Sequence, residues 1–268
     1  MGIFYKGEIG IDKIAVFQTE LEWIQNKQIR EFAAKSIAML PDYFFRVAAS
    51  STGKYHPSYA LGDGGLVRHT KAAVSIAHDL LQLEMYSAVF EPKEKDIILA
   101  ALILHDGKKH GDNGSQYTVA DHPTVVANWL KTTEELHTML SQDEMQILYD
   151  AIASHMGQWN TDYRTKKEIL PKPQTEIQKF VHLCDYLASR KYLEFDFGDN
   201  YYVPSDQTSV VKGLVDQIIA LCKEKIGEGC DKAALYAVIA KHNNGDKNPL
   251  RIETMHIANE ILKELQED

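Results

Sequence analysis

The sequence predicts an all-α fold, in which a helical bundle carries additional helices at its N-terminal end and a helical subdomain at its C-terminal end. Apolar residues recur with the spacing of one helix face along nearly the whole chain. Proline and glycine interrupt this spacing at intervals that suit ordinary helices, as at Pro41, Gly107 and Gly157. The sequence shows no internal repeat and no low-complexity segment, so we expect compact helical domains rather than a repeat array.

The first part of the chain predicts two amphipathic helices, over residues 12–25 and 27–39, and Pro41 closes the second of them. Residues 50–65 are rich in Ser, Gly, Pro and Tyr, which indicates a long ordered loop. Five further helices are expected at 66–83, 95–106, 122–131, 143–156 and 175–192. Loops over 107–121 and 157–174 interrupt this series.

The composition of residues 195–205 indicates a boundary, because helical spacing is lost there. Beyond it the pattern predicts three more helices, at 206–226, 230–241 and 251–265, with a turn at Asn248-Pro249. We therefore expect three parts: N-terminal helices over 1–49 that pack on the core, a core over 50–197, and a helical subdomain over 198–268.

Composition and charge exclude several classes of protein. The 268 residues include 29 basic and 38 acidic ones, a formal net charge of −9, whereas proteins that bind long nucleic acid usually carry a basic face. The three cysteines form no C-x-x-C pair and suit a reducing compartment. The start of the chain lacks the apolar stretch of a signal peptide, and the longest apolar run, 97–104, is too short to span a bilayer. We expect a soluble, cytoplasmic protein without membrane attachment.

Several ionisable residues occupy positions where the helical pattern places them in the interior. His69 and His155 each lie on the apolar face of a predicted helix. His105 and Asp106 follow directly after the longest apolar run, at the end of a buried helix. Asp185 lies in the middle of a predicted helix between apolar neighbours. A buried imidazole or carboxylate must be paired, protonated or bound to metal.

Taken singly, each of these residues has a purely structural explanation. His69 fits a core histidine, the dyad His105-Asp106 a helix end with a solvent-facing acid, and Asp185 an ion-pair partner of a nearby cation. Their joint occurrence on separate helices favours one explanation, which is that His69, His105, Asp106 and Asp185 converge on a divalent cation. Imidazole and carboxylate without thiolate suit Mn, Fe, Ni, Co or Zn.

The segments around these residues resemble the HD superfamily of metal-dependent phosphohydrolases. GGLVRHT at 64–70 resembles the first-histidine motif, and ILHDGKK at 103–109 resembles the second, L-L-H-D-x-G-K. Lys109 takes the position of the family's lysine, and Lys108 stands where glycine is usual. The segment 170–189 resembles the last part of the HD domain of bacterial three-prime exoribonucleases, and the similarity covers roughly residues 50–195. Those enzymes also carry a β-barrel nucleic-acid-binding domain, which this sequence does not show.

The resemblance implies an HD-domain bundle and extends the set of metal ligands. His122 and His155 match the positions of two further histidines in dinuclear members. One metal would then take His69, His105, Asp106 and Asp185, and a second would take Asp106, His122 and His155, with Asp106 bridging. His122 is otherwise a loop histidine before Pro123 and His155 a core histidine, so these two residues decide between one metal and two. We expect two.

Further residues are candidates for catalysis and for substrate binding. Lys108 and Lys109 are placed to neutralise charge on a phosphate, and His110 and His182 are candidates for protonating the leaving group. Basic residues near aromatic ones suit phosphates and bases, whereas the structural alternative is a solvated charged loop. The candidate substrate-binding residues are Lys54, His56, Tyr59, Arg164, Lys166 and Lys167, the last three beside Trp159.

The predicted function is hydrolysis of a phosphate ester or phosphodiester in a nucleotide or short oligonucleotide, not in long nucleic acid. Two alternatives remain. Diiron oxygenases of the HD type share the ligand set, and metal identity and O₂ dependence distinguish them. A nucleotide-sensing HD module without catalysis is the other, although such modules typically lose ligands. The oligomeric state does not follow from the sequence.

Overall fold

The computed structural model describes residues 12–50, 56–112, 115, 117–162, 164–193, 207–252 and 255–267. Helices make up its regular structure, and an isolated antiparallel bridge between Thr161 and Glu168 is the single β-type pairing in these residues. The predicted all-α class is therefore confirmed. The chain forms two compact units, Met1–Tyr202 and Val203–Asp268.

The first unit begins with three helices, α1 (Lys13–Val16), α2 (Gln18–Trp23) and α3 (Lys27–Met39). The single helix expected over 12–25 is interrupted at Phe17, whose φ of −110° departs from helical geometry while its ring is fully buried. Burial of this ring in the core overrides the local helical preference. The carboxylate of Asp96 accepts hydrogen bonds from the backbone N–H groups of Gln25 and Asn26 and so attaches the start of α3 to the bundle.

The bundle that holds the inward-facing ionisable residues has five longer helices and two short ones among the described residues. Its elements are α4 (Gly65–Gln82), α5 (Glu84–Ser87), α6 (Pro92–Leu104), α7 (His122–Thr132), α8 (Glu134–His137), α9 (Gln142–Ala153) and α10 (Glu176–Ala188). Helix α6 is the central one, because it packs against α3, α4, α9 and α10, and every residue from 97 to 104 is buried. Its C-terminal end therefore delivers the residues that follow into the middle of the bundle.

Local signals explain where these helices begin. Glu91 and Glu94 form a capping box around Pro92, so α6 starts three residues before the position expected from the apolar pattern. Comparable capping boxes start α9, at Ser141, and α10, at Thr175. Helix α4 begins at Gly65, where a Cβ would lie 2.3 Å from the carbonyl oxygen of Ala60. Glycine is required there because the preceding turn passes directly over the helix start.

The second unit contains three helices, α11 (Gln207–Gly227), α12 (Lys232–His242) and α13 (Met255–Glu267), with a 3₁₀ turn at Pro249–Arg251. Its small core includes Val215, Ile218, Cys222, Leu235, Ile239, Ile252, Ala258, Ile261 and Leu265. Among the described residues of both units, no helix combines the length and apolarity needed to cross a bilayer.

Candidate metal centre

Six ionisable residues converge in the interior of the first unit. Five of them are buried almost completely, and the sixth, Asp185, keeps 16 % of its side chain exposed. They are His69 of α4, His105 and Asp106 after the end of α6, His122 at the start of α7, His155 after the end of α9, and Asp185 of α10.

Asp106 lies at the centre of this cluster. Its Oδ1 atom is 3.0 Å from Nε2 of His122 and 3.8 Å from Nε2 of His155. Its Oδ2 atom is 3.5 Å from Nε2 of His105 and 3.8 Å from Nε2 of His69. The two oxygens of one carboxylate therefore face two different pairs of imidazoles, as expected for a carboxylate that bridges two sites.

The second carboxylate, Asp185, closes the cluster on one side. Its Oδ1 atom lies 3.0 Å from Nε2 of His69 and 3.5 Å from Nε2 of His105. Three triads have ligand atoms within 4.8 Å of one another. They are His69, His105 and Asp106; Asp106, His122 and His155; and His105, His155 and Asp185. The triad of Asp106, His122 and His155 has the composition expected for the second metal. The triad of His105, His155 and Asp185 joins residues expected at different metals, so the two expected sites form one continuous cluster.

The backbone sets the orientation of three of the imidazoles. In His105, His122 and His155, Nδ1 lies 2.6, 2.8 and 2.8 Å from the carbonyl oxygen of the residue three positions earlier. Because a carbonyl oxygen only accepts hydrogen bonds, Nδ1 carries the proton and Nε2 presents its lone pair to the cluster. This hydrogen bond to the outer nitrogen is typical of histidines that bind metal.

Three of the atoms that face the centre lack partners of their own. Nε2 of His105, Nε2 of His122 and Oδ1 of Asp106 are buried without a hydrogen-bond partner among the described residues. The 3.0 Å contact between His122 and Asp106 brings two acceptors together, since neither atom holds a proton to donate. Buried lone pairs in this arrangement are costly unless a cation lies among them, so the donor set fits a divalent metal ion.

Electrostatic interactions keep the two carboxylates of the cluster ionised. Burial raises the pKa of the Asp106 carboxyl, but the nearby charges of Lys109 and His105 lower it more, and the pKa lies well below its ordinary value. The pKa of Asp185 is likewise well below its ordinary value, because the interactions with His105 and His69 outweigh its burial. Burial lowers the pKa of His105, but the charges of Asp106 and Asp185 raise it more, so a metal ion at this imidazole competes with a proton. Burial and the neighbouring His105 lower the pKa of His155 to about 3, so this imidazole is neutral.

The cluster forms the floor of a cavity of about 590 Å³. His69, Asp106, His122, His155 and Asp185 line it. The remaining lining residues form the walls and the mouth: Ala49, Ser50, His56, Lys109, Thr118, Met156, Trp159, Tyr186, Ser189 and Arg190. A volume of this size is typical of sites for small molecules.

Of the residues expected to assist catalysis, Lys109 lies at the cluster. It is buried, it lines the cavity, and its ammonium group donates to Oδ2 of Asp106. Lys108 instead pairs with Asp112 and lies over the ring of Trp129, at 5.1 Å, so it points away from the cavity. The reason is that the helix ends before this point, and the turn that follows sends the two lysines in different directions.

The two histidines expected to protonate the leaving group also lie outside the cavity lining. His110 stacks on the ring of Tyr43, with 4.7 Å between ring centroids. His182 donates from Nδ1 to the carbonyl oxygen of His155, at 2.6 Å, and therefore supports a metal ligand through the backbone.

The expected substrate-binding residues are divided in the same way. His56 lines the cavity, and burial together with His69 and Lys109 lowers its pKa to about 3. Tyr59 is buried and donates its hydroxyl to the carbonyl oxygen of Ala188 at 2.8 Å, which leaves it outside the cavity. The remaining basic residues of the prediction have other locations: Lys54 lies outside the described residues, and Arg164, Lys166 and Lys167 are exposed and absent from the cavity lining.

Two residues that line the cavity were not among the site residues predicted from the sequence. Tyr186 follows Asp185 directly, and Arg190 comes four residues after Tyr186. The guanidinium carbon of Arg190 is 4.1 Å from the ring centroid of Tyr186. The sequence signal was their spacing of four residues within the helix expected over 175–192, because residues four positions apart in a helix share one face. In the structure α10 ends at Ala188, and Arg190 lies just beyond it.

A comparison of the chain with protein-family models, with curated protein sequences and with solved structures finds no match in any of the three. The assignment of a metal site to this cluster consequently depends on its own geometry.

Proposed function

We propose that this chain is an HD-type metal-dependent phosphohydrolase or phosphodiesterase that acts on a nucleotide or short oligonucleotide at a dinuclear centre. The observation that carries the proposal is the set of partnerless Nε2 and carboxylate oxygen atoms on the floor of a cavity that Lys109 and Arg190 also line. A small anionic substrate suits such a cavity, because the positive charges of Lys109 and Arg190 both line it.

The ligands divide around Asp106. His69, His105 and Asp185 would hold one ion together with Oδ2 of Asp106, and His122 and His155 would hold the second together with Oδ1. Nitrogen and oxygen donors favour Mn, Fe, Ni, Co or Zn. When bound, such ions lower the pKa of water and neutralise phosphate oxygens.

The chain itself supplies charge, orientation and hydrogen bonding. Lys109 holds the bridging carboxylate by its ammonium group and adds a buried positive charge to the cavity. Buried charge interacts more strongly with an anion than exposed charge does, because water screens it less. His56 is neutral and offers its ring for hydrogen bonding, since its Nδ1 is buried without a partner among the described residues.

The size of the cavity and the distribution of charge favour a short substrate. Long nucleic acid needs many distributed cationic contacts. The net charge of the chain is −9, and the cations of the 164–167 loop lie away from the cavity. A cavity of about 590 Å³ that is lined by two cationic side chains, Lys109 and Arg190, suits a substrate with one or a few phosphates.

The test is a metal assay on the purified protein followed by a screen of phosphate esters and phosphodiesters in Mn²⁺, with and without O₂. We expect cleavage that does not depend on O₂ and that His105→Ala abolishes. His137→Ala is the matched control, because His137 is an exposed histidine of α8 outside the cluster. Substrate-dependent O₂ consumption would support the oxygenase instead, and tight nucleotide binding by fully metallated protein without turnover would support the sensing module.

A further inference from the structure

The mouth of the cavity carries an aromatic surface next to a cation. Trp159 and Tyr186 stack with 5.7 Å between ring centroids and an interplanar angle of 12°. The guanidinium carbon of Arg190 lies 4.1 Å from the Tyr186 centroid and 5.8 Å from that of Trp159. All three residues line the same cavity as the metal ligands.

Trp159 and Arg190 each keep capacity for a ligand. Trp159 is 47 % exposed although it lies against Tyr186, so part of its indole surface remains available beside the cavity. Arg190 donates from Nε to the carbonyl oxygen of Tyr186 and from Nη2 to Ser189. These bonds fix the guanidinium group and leave Nη1 without a partner among the described residues. A fixed guanidinium loses little freedom when it binds an anion.

The chain connects this surface directly to the metal centre. Trp159 follows the ligand His155 by four residues, and its backbone N–H is anchored by the carbonyl oxygen of Met156 at 3.1 Å. Tyr186 follows the ligand Asp185 immediately on α10. A molecule that places a phosphate on the cavity floor therefore has its remaining part next to these side chains.

We infer that Trp159, Tyr186 and Arg190 form a subsite for the base of the substrate, in which a nucleobase stacks on the exposed indole and Arg190 pairs with phosphate. The inference rests on the proposed function, which it restricts to phosphates that carry an aromatic base. Stacking on an aromatic side chain contributes about 1–3 kcal/mol per base, which corresponds to a change in Kd of roughly 5- to 150-fold. Phosphates without a base gain no affinity from stacking.

The experiment measures binding to the metal-loaded protein by calorimetry, with non-hydrolysable phosphonate analogues of adenosine 5′-monophosphate and of ribose 5-phosphate. Trp159→Ala is expected to weaken the adenosine analogue by about 5- to 150-fold and the ribose analogue much less. Arg190→Gln should weaken both analogues by similar factors, because both carry the anion. Tyr192→Ala and Arg251→Ala are the matched controls, since both side chains are exposed and lie outside the cavity lining.

Trp159→Phe is a second, conservative variant. It keeps a flat ring against Tyr186, so the test does not depend on whether Trp159→Ala folds. We expect quenching of tryptophan fluorescence when the wild type binds the adenosine analogue. We expect Trp159→Phe to bind this analogue with intermediate affinity and to lack that quenching. The inference is overturned if Trp159→Ala and Trp159→Phe leave the ratio of the two affinities unchanged, or if the wild type does not prefer the adenosine analogue. Because the analogues are not cleaved, these results are independent of whether the protein proves to be a hydrolase.

Discussion

Replacing Asp106 by Asn should abolish the stabilisation of this protein by divalent metal. Both oxygens of Asp106 face imidazole Nε2 atoms, so an amide at this position removes the charge and one of the two donor oxygens at once. A ligand that binds only the folded state stabilises it by RT ln(1 + [L]/Kd), which is about 2.7 kcal/mol at 100 times Kd. For a unit of this size each kcal/mol raises Tm by about 2–4 °C, so the wild type should gain about 5–11 °C.

Asp96→Asn is the matched control, because Asp96 is another buried carboxylate, on the helix α6 that ends just before Asp106, and has no part in the cluster. It accepts hydrogen bonds from Gln25 and Asn26 through its two oxygens, at 2.9 and 2.7 Å. An amide can keep one of these bonds, and the loss of the other should cost about 1.5–3 kcal/mol with or without metal. Asp96→Asn should therefore have a lower Tm than the wild type and the same gain in Tm on adding metal.

The assay is calorimetric unfolding of the three proteins in chelator and in Mn²⁺, repeated with Fe²⁺, Co²⁺, Ni²⁺ and Zn²⁺. Asp106→Asn should show no gain with any of them. If Asp106→Asn gains as much as the wild type, or if none of the five ions stabilises the wild type, the assignment of the cluster as a metal centre is wrong.

Elemental analysis in excess Mn²⁺ should find about two ions per chain in the wild type and about one in His122→Ala, because His122 faces Oδ1 of Asp106, the oxygen assigned to the second ion. A single ion in the wild type would mean a mononuclear centre. Gly157→Ala should lower Tm and activity together, because Gly157 has a φ of +58°, which alone costs an alanine about 1–2 kcal/mol, and because its Cβ would lie 2.2 Å from the His182 ring. Gly227→Ala is the control and should be harmless, since nothing lies within 4 Å of its Cβ. Equal Tm values for the two variants would refute the packing argument. Among mononucleotides, dinucleotides and an RNA of roughly 20 nucleotides, the short substrates should have the higher kcat/KM at low and at high salt, and a preference for the RNA at both would show that the surface charge does not limit substrate length.

The sequence by itself determined the fold class and the interior positions of His69, His105, Asp106, His155 and Asp185, whereas His122 was assigned only through the resemblance to the HD superfamily. Both depend on local information. Helical spacing places His69 on a buried face, and the unbroken apolar run of α6 leads His105 and Asp106 into the interior. The sequence was less informative about element ends, because tertiary burial of Phe17 breaks one expected helix and a capping box moves the start of another.

Only the tertiary structure decided which neighbours of the ligands face the cavity. Lys108 and Lys109 are adjacent in sequence, yet one lies over Trp129 and the other contacts Asp106. After the end of a helix, the direction of each side chain depends on the turn and on the elements packed around it, for which periodicity gives no rule. The approach of Trp159 to Arg190 likewise arises where the segment after α9 packs on α10, and it joins residues about 30 positions apart in the chain.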